Sequence, residues 1–128
     1  MFPSQGEILN EWQADNNQSI NNDDAVDHKQ QIANIEYLLA VTDPRLFTVE
    51  SVNNVINVIS ETIIWVRSNV DKVAYDTQQL NKNLYDARAS LIVAIEERNK
   101  NKTARYCKYL REGYEHLQAA LTAWETSG

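Results

Sequence analysis

A heptad frame runs without interruption from Val52 to Ala94, through Ile56, Ile59, Ile63, Val66, Val70, Val73, Thr77, Leu80, Leu84, Ala87 and Leu91, with spacings that alternate between four and three. That alternation is the mark of a helix whose apolar seam packs against another helix. It constrains the chain strongly, because a strand-based fold would need a period of two. Glycine is absent between Gly6 and Gly113 and proline is absent after Pro44, so little in this region interrupts a helix. The expected fold is all-α.

The flanks of the frame supply the remaining elements. Residues 1–22 are polar and rich in Asn and Gln, with Phe2, Ile8, Leu9, Trp12 and Ile20 as their main apolar anchors; they read as an arm preceding a single helical domain over 23–128. A short helix around Gly6 to Ala14 is weakly indicated, and Asn16 to Asp24 has the composition of a linker. Asp23 or Asp24 can cap a first helix over about 24–41, with Ala25, Ile32, Ile35, Leu38 and Leu39 as its apolar face. Asp43-Pro44 ends it, since the residue before proline avoids the helical region and proline has no N–H to donate. Thr48 can cap the next helix, with Glu50 in the first turn and Phe47 as a preceding hydrophobic staple.

The undisturbed frame favours one continuous helix over 49–98, which would be about 75 Å long. The alternative is a break at Ser68-Asn69-Val70-Asp71, where Asn69 could cap a new helix. Beyond the polar run Asn99 to Lys102 the frame restarts out of phase as Thr103, Cys107, Leu110, Tyr114, Leu117, Leu121 and Trp124, which places a turn there and a last helix over about 103–126. The expected architecture is an elongated antiparallel helical hairpin, long central helix against C-terminal helix, with a shorter N-terminal helix packed on it and the polar arm in front.

Helix lengths then direct attention to one stretch. The last helix can cover the frame from Thr77 to Ala94. It leaves Val52 to Val70 to the first helix alone, where Val58 and Trp65 add a second ridge beside the seam. A strip that apolar would be exposed in a monomer, so Val52, Ile56, Val58, Ile59, Ile63, Trp65, Val66 and Val70 are expected to form an oligomer or partner interface.

Charge supplies the second candidate surface. The chain of 128 residues carries a formal charge of −6. Residues 1–50 hold nine acids against Lys29 and Arg45, whereas residues 51–128 hold nine acids against ten bases. Arg98, Lys100, Lys102, Arg105, Lys108 and Arg111 place six cations in fourteen residues with no acid among them, and Tyr106 and Tyr109 are interleaved. Cations with aromatic rings suit a phosphate backbone with stacked bases, yet the acidic first fifty residues of a second copy suit this tip as well. A helix C-terminus accounts for Arg98 and Lys100, but Lys102 and Arg105 begin a helix, where the macrodipole disfavours them.

Chemistry-bearing groups are sparse. His28 and His116 sit in different helices, and Glu112 with His116 at a spacing of four is better read as surface pairing than as a metal site, because no Glu-x-x-His occurs. Cys107 is alone, with no His near it in sequence, and reads as a seam thiol rather than a nucleophile. No cofactor, metal or small-molecule substrate is expected, and an enzyme is the least favoured class. Neither a secretory signal nor a run of ~20 apolar residues able to span a bilayer is present, so a cytoplasmic protein, or a virion component assembled in a host cytoplasm, is expected.

The leading expectation is therefore a non-enzymatic structural or assembly protein, a helical subunit of a homo-oligomer or larger complex such as a phage head–tail adaptor, connector or minor structural protein. Two alternatives remain open: a nucleic-acid-binding accessory protein using the basic tip, and a small acidic inhibitor or adaptor binding a host protein through residues 1–50.

Overall fold

A computed structural model describes residues 24–69 and 77–125. Every regular element among them is helical: α1 Asp24–Val41, a 3-10 turn Pro44–Leu46, α2 Val49–Ser68, α3 Thr77–Asn99 and α4 Thr103–Glu125. The α3–α4 pair is the most extensively packed, α2 lies against α3, and α1 lies against α4 and α2. Each helix runs antiparallel to its neighbours in this ring. The result is an antiparallel helical hairpin with the shorter N-terminal helix packed on it, and the candidate arm over 1–22 lies outside the described residues.

Local signals set most of the boundaries. Thr48 caps α2, its Oγ1 accepting from the Ser51 N–H at 3.1 Å, and Phe47 before it and Val52 after it both join the core. Asp43 takes the Arg45 N–H at 3.0 Å and opens the 3-10 turn at Pro44. At the far end of α3 the Lys102 N–H reaches back to the Glu97 carbonyl at 3.0 Å and the Asn101 N–H to the Arg98 carbonyl at 2.9 Å, with Asn101 at φ 61°. That pair of bonds with a left-handed residue is a Schellman motif, and Asn is one of few side chains that tolerate the position.

The stretch 49–98 departs from one continuous helix. α2 stops at Ser68, and Asn69 leaves the helical region with φ −133° and ψ 41°. Side chains take the last carbonyls: Ser68 Oγ donates to Ile64 O at 3.0 Å and Asn69 Nδ2 to Trp65 O at 2.9 Å. Asn69 thus closes α2. Farther along, Arg88 Nη1 donates to Ser60 Oγ at 3.2 Å and Arg67 Nη1 to Tyr85 Oη at 3.1 Å. On a straight helix Ser60 and Arg88 would lie about 42 Å apart. The seam has folded back on itself, so Val52, Ile59, Ile63 and Val66 share one core with Leu80, Leu84, Ala87, Leu91 and Ala94.

The buried face of α4 also differs from the expected frame. Tyr106, Leu110, Gly113, Leu117, Ala120 and Trp124 point inward, whereas Cys107, Tyr114 and Leu121 are half-buried at the margin. Small residues explain the shift: a Cβ on Gly113 would come within 2.8 Å of Leu91 Cδ2 and 3.6 Å of the Ala87 carbonyl, so α3 and α4 meet too closely there for a larger side chain. His28, stacked on Trp65 with ring centroids 4.8 Å apart, fixes the start of α1 against the end of α2.

Two expectations follow for stability. Asn101→Gly removes the Cβ from a left-handed position and should raise unfolding free energy by about 0.5–1 kcal/mol, read as a shift in denaturant midpoint. Gly113→Ala should lower stability in the native sequence, since overpacking costs about 1–3 kcal/mol against a helix-propensity gain near 1. In a Leu91→Ala background the same substitution should become stabilising, and an unchanged sign there would refute the close-approach account.

Candidate functional site

The topology brings the 42–48 segment and the 99–102 turn to one end of the bundle, and the site is built from what meets there. Phe47 is turned inward, with its backbone extended at φ −72° and ψ 124°, so its carbonyl lies outside the α2 ladder. Two partners from the other hairpin satisfy it: Tyr106 Oη donates at 2.5 Å and Arg98 Nη1 at 3.2 Å. The Arg98 guanidinium also lies 4.8 Å over the Tyr106 ring. Burial pushes the Tyr106 phenol above its ordinary pKa, and the positive charge of Arg98 opposes that rise only in part. The hydroxyl therefore stays protonated and available to donate.

Beside this junction lies a groove of about 530 Å³ between α1, the 3-10 turn and the first half of α4. Leu39, Phe47, Cys107 and Leu110 supply apolar surface, with Ala40, Pro44, Ala104 and Tyr114 around them and Lys108 and Arg111 on the α4 side. The spacing Ala104, Cys107, Lys108, Arg111 puts these on one helical stripe next to the core-facing one. Lys108 Nζ rests 5.4 Å over the Tyr109 ring and Arg111 Nε lies 3.6 Å from Glu115 Oε1, both near solvent. Arg45, in the loop that borders the groove, pairs with Asp43 at 2.8 Å. Its own partner, Asp43, is held below the usual carboxylate range, first by the hydrogen bond from the Arg45 side chain.

The apolar strip expected as an interface is placed elsewhere. Val52, Ile59, Ile63 and Val66 are buried within the chain, Ile56, Val58 and Trp65 pack half-buried against the same core, and Val70 lies outside the described residues. The expectation assumed that α1 alone covered this stretch, but α3 folds back and covers it too. Ile64, 66% exposed, is the large apolar side chain that α2 leaves in solvent.

The basic tip is divided. Arg98 serves the Phe47 junction, Arg105 Nη1 stands 3.8 Å from the largely buried Glu97 carboxylate, and Lys108 and Arg111 face the groove. Lys100 and Lys102 project from the turn, and Tyr109 is half-buried. Tyr106 has no exposed surface, so its ring cannot stack on a base. Cys107, expected as a seam residue, stands partly exposed on the groove wall. Sequence spacing could not reveal the groove, because Leu39, Pro44 and Phe47 lie some sixty residues from Cys107 and only the ring of helices brings them together.

Among the described residues no group of three or more His, Cys, Asp or Glu side chains could hold a metal ion, and no helix is long and apolar enough to cross a membrane. Glu112 and His116 sit part-exposed on α4. Comparison of the chain with protein-family models, with curated proteins and with solved structures finds no match.

The Tyr106 junction gives a test with a defined sign. A phenol whose pKa is raised by folding contributes stability that is complete below the unfolded value of 10.0 and is lost as pH rises through the folded value. Tyr106→Phe should cost about 1 kcal/mol at neutral pH through the lost hydrogen bond. It should also flatten the fall in stability above pH 10, as followed by urea titrations across the alkaline range.

Proposed function

We propose that the chain is a non-enzymatic helical subunit of a larger assembly and that it works by receiving a polypeptide segment in the groove at its cationic end. The observation that carries this reading is the pairing of an apolar floor, Leu39, Phe47, Cys107 and Leu110, with the cations Lys108 and Arg111 along one wall. Within two residues of the lining, Val41 and Leu46 are 58% and 73% exposed, which extends the apolar surface at this end. An acidic amphipathic helix or strand fits such a surface: apolar side chains enter the groove and carboxylates meet the cations.

This reading moves the interaction surface from the seam of α2 to the end of the bundle. It keeps the assembly role expected from the heptad frame but rests on a different set of residues. Burial of Tyr106 and the engagement of Arg98 and Arg105 within the chain take support away from a nucleic-acid role, which needs free rings and free cations in one stripe.

The test uses Cys107 as a reporter. A twelve-residue acidic peptide with an apolar pair at i, i+4, added in large excess, should slow alkylation of the Cys107 thiol by a neutral maleimide. Its lysine-substituted counterpart should not. Lys108→Glu with Arg111→Glu should abolish the acidic peptide's effect while helicity by circular dichroism is unchanged. Equal protection by both peptides, or by neither, would overturn the proposal.

A further inference from the structure

Helix α1 carries apolar residues on two sides. Ile32 and Leu39 are buried in the bundle, with Ile35 and Leu38 packed against the core beside them. On the outward side Val26, Gln30, Ala33, Tyr37 and Ala40 recur at spacings of four, three, four and three, the alternation of a seam that packs against another helix. Val26 is 62% exposed and Tyr37 66%, and Gln30 and Ala40 are exposed as well. A single apolar residue in solvent is ordinary. A seam of this spacing along the solvent side of a helix is not, because that side is normally polar throughout.

The charges beside the seam select what covers it. Lys29 and Glu36 occupy the same flanking position one heptad apart, and both are half-exposed. Suppose a second copy of α1 lies antiparallel, with Val26 against the partner's Tyr37 and Gln30 against the partner's Ala33. Lys29 then stands beside the partner's Glu36, and Glu36 beside the partner's Lys29, in the positions where antiparallel helices exchange ion pairs. Sliding the partner by one heptad in either direction sets Glu36 against the partner's Glu36 or Lys29 against the partner's Lys29. A parallel pair would match Lys29 with the partner's Asn34 and Glu36 with the partner's Val41, with no ion pair at all. Complementary charge thus favours one direction and one register of a second copy.

We infer that two copies of this chain pair through the outward side of α1 as an antiparallel, two-fold dimer. Tyr37 covers the partner's Val26 at each end of the contact, and between them the short Ala33 faces the longer Gln30 of the partner subunit. Gln30 Nε2 already donates to Asn34 Oδ1 at 2.9 Å, so this polar layer enters the contact with that hydrogen bond made, and it serves register more than affinity. α1 has 18 residues, about 27 Å of helix, which puts the contact at the small end of specific interfaces. The inference does not depend on the groove reading above, but it has a consequence for it. The groove lies at the C-terminal end of α1, so an antiparallel pair carries one groove at each pole.

The test is sedimentation equilibrium of the full chain from about 1 μM to about 1 mM, a span that brackets a small and weak contact. The native chain should follow a monomer–dimer equilibrium with no larger species. Lys29→Glu alone and Glu36→Lys alone each set like charges together twice per dimer and should raise the dissociation constant about tenfold. Carried in one chain, the two substitutions restore opposite charges and should return the constant to within about twofold of the native value. Residues seven apart on one helix lie about 10.5 Å apart, beyond direct pairing, so such a rescue must come from between chains. Val26→Ser with Tyr37→Ser should abolish the dimer and leave helicity by circular dichroism unchanged, since both side chains are exposed on the bundle.

A monomer at every concentration would overturn the inference, as would a dimer indifferent to these substitutions. Weakening by each single charge reversal without rescue by the two together is a general charge effect and not a paired contact, and it would overturn the inference too. Growth beyond a dimer would mean an open head-to-tail contact and overturn it equally. The two readings fail separately: protection of Cys107 by acidic peptide in chains that no longer dimerise leaves the groove standing alone, and its absence from a chain that still dimerises refutes the groove only.

Discussion

The carbonyl of Phe47 holds the two halves of the bundle together at one end. It belongs to neither flanking helix, because the 3-10 turn has ended and Thr48 begins the next ladder. A buried carbonyl in that position requires partners from elsewhere. Tyr106 from α4 and Arg98 from α3 supply them, and the stacking of one donor on the other fixes both. Because Phe47 faces the groove as well as the core, the bond that anchors its backbone also sets the depth of the groove floor. Were the loop to lift, Leu39, Phe47 and Cys107 would cease to form one surface.

Short-range chemistry was the legible part of the fold. The cap at Thr48, the stop at Asp43-Pro44 and the turn at 99–102 are each determined by two or three adjacent residues, and each stands where local rules place it. The heptad frame states which face of a helix is buried, but not what buries it. A seam from Val52 to Ala94 can be satisfied by a separate chain or by folding its first half onto its second, since both use the same alternation of four and three. The fold chose the second, and Asn69 shows how fine the distinction is: an amide that can accept at a helix start can equally donate to carbonyls at a helix end.

The candidate site was legible only in fragments, for a related reason. Counting apolar residues against helix lengths assigned Val52 to Val70 to an interface because one covering helix was assumed where the ring supplies two. The basic cluster of 98–111 was visible as composition, yet helical geometry sends Arg98 and Tyr106 inward to the Phe47 junction and leaves Lys108 and Arg111 on the groove. In α4 the expected frame holds at Leu110, Leu117 and Trp124, whereas Cys107, Tyr114 and Leu121 stand half-buried beside it. Hydropathy favours Cys107, Tyr114 and Leu121, but close packing favours Gly113 and Ala120, which let the α3 and α4 backbones approach. A large side chain contributes burial wherever it sits, whereas a glycine is required only where another helix is near, and that nearness is a tertiary fact.

The charge asymmetry along the sequence acquires a spatial meaning from the topology. In an up–down ring, every second connection lies at the same end, so the 42–48 segment and the 99–102 turn share one end while α1 begins at the other. The acidic residues 1–23 therefore precede a helix that begins at one pole of the bundle, while Lys100, Lys102, Lys108 and Arg111 gather at the opposite one. Opposite charges at opposite poles can be joined by stacking copies end to end or by a segment long enough to run the length of the bundle.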